Sequence, residues 1–517
     1  MDELPLRAVV IGSGVGGAAA ALLLSHAGVP TLLAEKERRL GGAAAAYERD
    51  GFRVDTGTHM LCRGEEGPLG DVLRRVGQGG AITFRQSSEP PALCVAGGAR
   101  GVRAGAAPRA GRVVLQAELW RLAGAARELA RGLDLTALEA ARAARLLAHA
   151  AAMRDVDMAA CDDATAEAYA ARFVPRAAAA ARLGGLLGLP LLLPGAEASA
   201  GEALLSWRRI ARSGQQRYPE GGAARVPEVF CRLARELGAA VWTGAGVRRV
   251  LVSDRRVRGV ELEDGTALPA RIVVSTVGLL PTISGLVGEA HFPEAYVARA
   301  RALAPQPRQV QVKIGLRRRL AAAGALAGLG GGSDGDGAPA LPFYCLVPTR
   351  FDPSLAPPGH ELLCACAVSG VRGGASRGAP AASVDGLVRA LTSAVPGLLS
   401  EAIFVDGAPA DGRGEALAQA GELATATAQT PGQVGRARPA VYTPVRGLYL
   451  AGRGAGGRGA GMELAASSAI ECVDRILVDM GRDLGAPAPP ALIDIAGDLL
   501  GRAAASTVTW AARARLG

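Results

Sequence analysis

An α/β fold is predicted for this 517-residue chain: a Rossmann-type parallel sheet with a β-meander, and an α+β second domain interleaved with it in sequence. Three stretches predict it. In residues 7–36 an apolar strand runs through a glycine-rich turn into a small-residue helix, and a second apolar strand ends in an acid. Residues 218–278 read as a glycine turn, an amphipathic helix and alternating strands, and residues 435–477 as a strand, a glycine turn and a helix. Strands that alternate with helices of this length build parallel sheets.

In the first stretch AVVI (8–11) runs into Gly12-Ser13-Gly14-Val15-Gly16-Gly17. Gly12 allows a tight turn, Gly14 lets the backbone approach a pyrophosphate, and Gly17 lets the helix pack close to the strand, with the helix N-terminus facing the phosphate charge. The second strand, Thr31 to Ala34, ends in Glu35, where an acid accepts hydrogen bonds from an adenosine ribose. Taken alone, GxGxxG in a chain with 71 glycines is a glycine-rich turn. Strand, helix and acid in register favour a dinucleotide site. A second glycine pair follows in Arg39-Leu40-Gly41-Gly42, and then GFRVDTGTHML (51–61).

The length suggests two or three structural units. A net charge of +10 would ordinarily raise nucleic acid as a partner. Here the positive charge is scattered arginine, with Lys36 and Lys313 the only lysines, so no nucleic-acid partner is expected. Eight dispersed cysteines form no CxxC. Cys364 and Cys366 share one face of a presumed strand, but nothing completes a zinc set, so no metal is expected. Thiols in apolar runs fit a reducing cytoplasm. The chain begins Met-Asp-Glu and goes straight into the first strand, with no basic leader. No run of about 20 apolar residues suggests a spanning helix.

Residues 62–100 read as loop and short strands, and residues 115–182 as Ala-rich helices with apolar spacings of three and four. LGGLLGLPLLLPG (183–195) is too short to cross a bilayer. It has two readings, a buried helix with a proline stop or an interfacial patch where an apolar substrate enters from lipid. In 218–278, Asp264-Gly265 marks a hairpin, while Ala240–Thr243 and Ile272–Thr276 rejoin the parallel sheet. RQVQVKIGL (308–316) alternates like a half-exposed strand, with Gln309, Gln311 and Lys313 on the polar face. GLGGGSDGDGAPA (328–340) reads as a surface loop, ELLCACAV (361–368) as another strand, and residues 488–517 as an amphipathic, basic tail that docks on the body or lies on a membrane. Segments 1–70, 215–290 and 435–480 are thus assigned to the cofactor domain. Segments 71–214 (helical over 115–200) and 291–434 (sheet over 300–434) form the substrate domain, and 481–517 the tail helix.

The second glycine pair resembles the motif that follows the ribose acid in FAD enzymes of the glutathione-reductase and amine-oxidase type. GFRVDTGTHML is similar to the strand and turn that reach the flavin ring there. With YPEGGAARVPEVF, GVELEDG, VVST, DPSLAPPGHELL and RPAVYTPVRGLYLAGRGAGGRGAGMELAASSA, the chain resembles the phytoene-desaturase-like flavoproteins: carotenoid desaturases, carotenoid isomerases and retinol saturase, within the amine-oxidase fold group. The resemblance implies FAD and an FAD-binding Rossmann domain. Gly12, Gly14, Gly17, Glu35, Gly41 and Gly42, with neighbouring Val15, Gly16 and Lys36, match the adenosine-diphosphate site, and Val247 the position whose backbone contacts adenine. Gly57 and Thr58 fall in the turn toward the flavin, while Gly452, Arg453, Gly461 and Met462 match the C-terminal flavin-contacting turn and helix. Arg453 to Arg458 depart from the family, which often shows Pro-Gly-Gly-Gly there.

The family implies hydride transfer with the flavin N5 and few obligatory acids or bases. His59 lies in the segment expected beside the flavin, although a lone His is more often a structural hydrogen-bonder. Lys313 and Gln311 share the strand where amine oxidases place a lysine bonded through water to N5, or else a solvated face. Glu463, in the first turn of the last helix, is a catalytic candidate or a cap; Tyr218 and Trp207 line the pocket or pack. The expected activity is FAD-dependent desaturation, saturation or isomerisation of an apolar conjugated or prenyl-like substrate. The alternatives are a flavin oxidase of an amine or secondary-metabolite intermediate, and a non-catalytic prenyl-binding escort. The location expected is cytoplasmic, with 183–195 and the tail as candidates for contact with a membrane surface; oligomeric state is not legible.

Overall fold

Ala8–Ile11 is the middle strand of a five-stranded, all-parallel sheet, whose strand order is Leu448–Leu450, Ile272–Ser275, Ala8–Ile11, Thr31–Glu35 and Ala240–Thr243. The three inner strands are buried along their whole length, which is why they read as unbroken apolar runs rather than alternating ones. The computed structural model describes residues 7–57, 63–87, 89, 92–95, 111–114, 129–130, 133–213, 216–307, 309–321, 323–329, 342–371, 383–408 and 426–482. Thr58, His59, residues 115–128, the segment 330–340 and the tail beyond 482 lie outside them.

The first helix, Val15–His26, is small-sided and buried on nearly every face. It packs between Arg225–Glu236 and the last helix, Gly461–Asp479. On the other side of the sheet sits the expected antiparallel meander, Val247–Ser253, Arg256–Leu262 and Ala267–Pro269. Its hairpin turns at Asp264-Gly265, where Gly265 has φ +88° and Asp264 Oδ1 accepts from Thr266 N at 2.8 Å.

A second, seven-stranded sheet is ordered Ala402–Ala408, Gln311–Leu316, Glu361–Ala367, Phe343–Leu346, Ala325–Gly328, Ala92–Val95 and Gly111–Val114. Helix Val384–Ala394 covers one face, with Leu387 and Leu391 against Val312 and Ile314. Helices Ala137–Ala152, Asp155–Ala159, Ala166–Ala171, Ala177–Gly188 and Ala200–Ser213 form a separate layer.

Two expectations change, and of the two readings of 183–195 the buried helix with a proline stop holds. Pro68–Arg75, read as loop, is a helix with proline in its first turn, where the missing N–H costs nothing. The strand Gln311–Leu316 is buried on both faces, not half-exposed, because its polar side meets a cavity wall instead of solvent. Residues 183–195 are no surface patch. Leu183, Leu186, Leu187 and Leu193 are buried, and Pro190, Leu191 and Leu192 line the cavity.

Candidate active site

The turn after the first strand sets the site. Gly12 has φ +96°, and a Cβ on Gly17 would lie 1.9 Å from the Gly12 carbonyl oxygen, so helix and strand touch only because residue 17 lacks a side chain. A Cβ on Gly14 would meet nothing within 4 Å. Its open side is the cavity at the helix N-terminus, where a diphosphate finds backbone N–H donors. Gly16 packs on Gly452: a Cβ there would stand 2.8 Å from the Gly452 Cα. The first and last crossovers of the sheet therefore meet at this point.

Glu35 ends the second strand and is buried, with Oε2 accepting from Ser13 N (2.7 Å) and Ser13 Oγ (2.6 Å) and Oε1 from Glu37 N (2.9 Å). Two carboxylate oxygens offer about four acceptor positions, so capacity for ribose hydroxyls is kept. Ser13 Oγ also accepts from Gly41 N at 3.0 Å, and Gly14 bridges Gly41 in parallel fashion. Ser13, which the motif treats as filler, thus ties the two glycine pairs and the acid together.

These groups open on one cavity of about 340 Å³. Gly12, Gly14, Val15 and Gly16 line it from the first loop, Glu35 and Lys36 from the second strand, and Gly41, Gly42 and Gly57 from the following segment. Val247 contributes from the meander, and Gly452, Arg453, Gly461 and Met462 from the C-terminal turn and helix. Gly17 does not line it; its role is the close packing just described. The rest of the cavity wall, a lobe made by Pro190, Leu191, Leu192, Gln309, Gln311, Tyr344 and Cys366, comes from the helical layer and the second sheet. Gln311 lies opposite Cys366, and Cys366 opposite Tyr344, across the second sheet.

The catalytic candidates separate. Gln311 lines the lobe, and Lys313, fully buried, donates from Nζ to Gln311 Oε1 at 3.0 Å. Both belong to a buried wall rather than a solvated face. Glu463 does not line the cavity. Its Oε1 accepts from Arg63 N (2.6 Å) and Gly64 N (3.3 Å), pinning the short turn Gly64–Glu66 to the last helix. Burial raises its pKa, against the pull of those N–H groups, and these contacts anchor the turn to the helix. Trp207 and Tyr218 stand outside the lining too. Trp207 Nε1 donates to the Leu186 and Leu187 carbonyls at 3.0 and 3.1 Å.

Tyr218 donates its hydroxyl to Asp55, which also accepts from Ala223 N (2.9 Å) and Ala224 N (3.4 Å). A Cβ on Gly222 would stand 3.0 Å from Asp55 Oδ1. The stretches GFRVDTG and YPEGG are therefore joined through one carboxylate, a pairing invisible in sequence. Burial holds the Asp55 pKa above the usual carboxylate range, while the Tyr218 hydroxyl, the Ala223 N–H and Lys313 oppose the rise. A folded pKa above the unfolded one stabilises the protein fully below about pH 4, and that contribution is lost as pH rises through the folded value. Asp55→Asn removes the titration. Wild-type stability should fall relative to the variant as thermal midpoints are followed from about pH 4 to 7; parallel curves would contradict this.

The far end is held by a second network that sequence reading missed. Arg458 pairs with Glu202 (2.7 Å) and Asp162 (2.6 Å), and Glu202 Oε2 accepts from Gly459 N at 3.1 Å. Gln429 Nε2 donates to the Gly459 carbonyl at 2.7 Å. The helical layer thereby fixes the turn that carries Gly452 to Gly461.

A diphosphate cradle, a ribose-side acid, a second glycine pair and a C-terminal helix N-terminus around one cavity define an FAD-dependent oxidoreductase. The chain belongs to the flavin containing amine oxidoreductase family, whose model matches residues 15–477. The all-trans-retinol 13,14-reductase of Macaca fascicularis is 38% identical over 96 residues, covering 19% of this chain and 16% of that protein. The zeta-carotene-forming phytoene desaturase of Myxococcus xanthus is 29% identical over 297 residues, 53% of each chain. The chain therefore spans about half the length of the desaturase and a smaller part of the reductase. An oxidoreductase from Methanosarcina mazei shares the fold, with a TM-score of 0.67 at 20% identity over 91% of this chain and 100% of that one. Among the described residues no helix is long and apolar enough to cross a membrane.

Proposed function

We propose that the chain desaturates, saturates or isomerises an apolar conjugated or prenyl-like substrate in the lobe walled by the helical layer and the second sheet. The observation that carries this reading is the wall Pro190, Leu191, Leu192, supplied by the apolar segment 183–195. Among the described lining residues the carboxylates are Glu35 and Glu263, both beside the adenosine end, and Tyr344 is the single aromatic. A cationic amine is best held by a carboxylate or an aromatic cage, and the described lining of the lobe offers neither. The retinol reductase and the phytoene desaturase named above support the same substrate class.

Bound FAD supplies the redox step by exchanging a hydride at N5. The protein's part is to orient the substrate and keep water out. Leu191 and Leu192 supply apolar surface, and Lys313 holds the Gln311 carbonyl, so that the amide NH2 is what Gln311 presents to other partners.

Leu192 tests the substrate assignment. It has φ +54°, a region that asparagine tolerates better than leucine, so Leu192→Asn removes apolar surface at little backbone cost. Loss of a buried leucine contact is worth about 1.5 kcal/mol or more. The KM for a polyene should rise about tenfold, with FAD content unchanged. An unchanged KM would contradict an apolar substrate in this lobe.

A further inference from the structure

We infer that Arg453 is a counter-charge for the FAD diphosphate, supplied from the C-terminal turn to complement the N-terminal glycine loop. Arg453 lines the cavity, and its Nε is buried with no hydrogen-bond partner. No described carboxylate forms an ion pair with it, in contrast to Arg458 five residues on, which has two. Its charged neighbour is a second buried cation. Arg438 donates from Nε to the Gly456 carbonyl (2.7 Å) and from Nη2 to the Arg453 carbonyl (2.6 Å). Burial lowers both guanidinium pKa values to about 10, and for Arg453 the like charge of Arg438 adds to the effect.

A buried guanidinium placed beside another cation, with no described carboxylate paired to it, is unfavourable unless an anion arrives. The location names that anion. Gly452, one residue before Arg453, is packed against Gly16 in the first turn of the first helix, and consecutive Cα atoms are about 3.8 Å apart. Arg453 thus flanks the helix N-terminus where the diphosphate sits. The planar fork of arginine suits phosphate oxygens. The backbone contacts of Arg438, and the bond from Thr427 Oγ1 to the Gly454 carbonyl (3.0 Å), fix the turn that carries the side chain. The departure from the glycine-rich family pattern at this position then supplies a charge, rather than losing a cofactor contact.

The test uses full-length holoenzyme with Arg453→Gln and Arg453→Lys. The FAD dissociation constant is read from the fluorescence of released flavin, and ADP is titrated as a competitor. Losing charge-assisted bonds to phosphate should weaken FAD about 10- to 100-fold in Arg453→Gln, with a smaller loss in Arg453→Lys. ADP carries the same diphosphate, so its affinity should fall in parallel and the ratio of the ADP and FAD dissociation constants should hold. The FAD-free Arg453→Gln protein should melt no lower than FAD-free wild type, because an unpaired cation has gone. Unchanged FAD affinity in both variants would overturn the inference. So would FAD weakened with ADP binding intact, which would assign Arg453 to the flavin ring or the substrate.

Discussion

Gly14→Val yields a folded protein without FAD. A Cβ at residue 14 meets no heavy atom of another part of the chain within 4 Å, so a branched side chain there starts from open space and projects toward the cofactor. Two charge-assisted hydrogen bonds from the loop to phosphate, at about 1.5 to 3 kcal/mol each, put the loss on the order of a thousandfold in Kd. Gly17→Ala makes the contrast. Its Cβ would stand 1.9 Å from the Gly12 carbonyl oxygen, which forces the first helix off the sheet. Purified Gly14→Val should be colourless with a native circular dichroism spectrum, and Gly17→Ala should lose both colour and folding. A yellow Gly14→Val protein with wild-type FAD affinity would contradict the cradle.

Glu202→Ala is expected to be the most destabilising change outside the glycine loop. The carboxylate is buried and satisfies Arg458 Nε (2.7 Å), Gly459 N (3.1 Å) and Gln429 Nε2 (3.5 Å). Removing it leaves Gly459 N without its acceptor and Arg458 with Asp162 alone, and each buried group left unsatisfied costs about 1 to 3 kcal/mol. The loss should appear in denaturant midpoints and as weaker FAD retention, since the turn to Gly461 is released. Arg458→Met should therefore cost less in the Glu202→Ala background than in wild type, where it also breaks the Glu202 pair. Equal costs in the two backgrounds would show that the pair is not the cause.

The parallel sheet was legible because strands buried on both faces must be apolar throughout, as Val9, Leu33 and Val273 are. The glycine loop was legible because each glycine answers a local steric need. Illegible features depend on partners far apart in sequence. Glu463 finds Arg63 and Gly64 across about 400 residues, and Arg458 finds Glu202 across 256. Gln311 and Lys313 sit on an alternating strand, and alternation alone does not say whether the polar side meets water or a cavity built by other elements. The apolar run 183–195 posed the same problem. Its composition suits lipid and protein interior equally, and only the packing of Leu183, Leu186 and Leu187 places it inside.

The most direct measurement follows the flavin absorbance of anaerobic holoenzyme mixed with a conjugated polyene and, in parallel, with a primary amine. The polyene should bleach the oxidised band or, for a saturating enzyme, restore it from the reduced form, while the amine leaves the band unchanged. Bleaching by the amine alone would contradict the account and identify an amine-oxidising enzyme on the same fold.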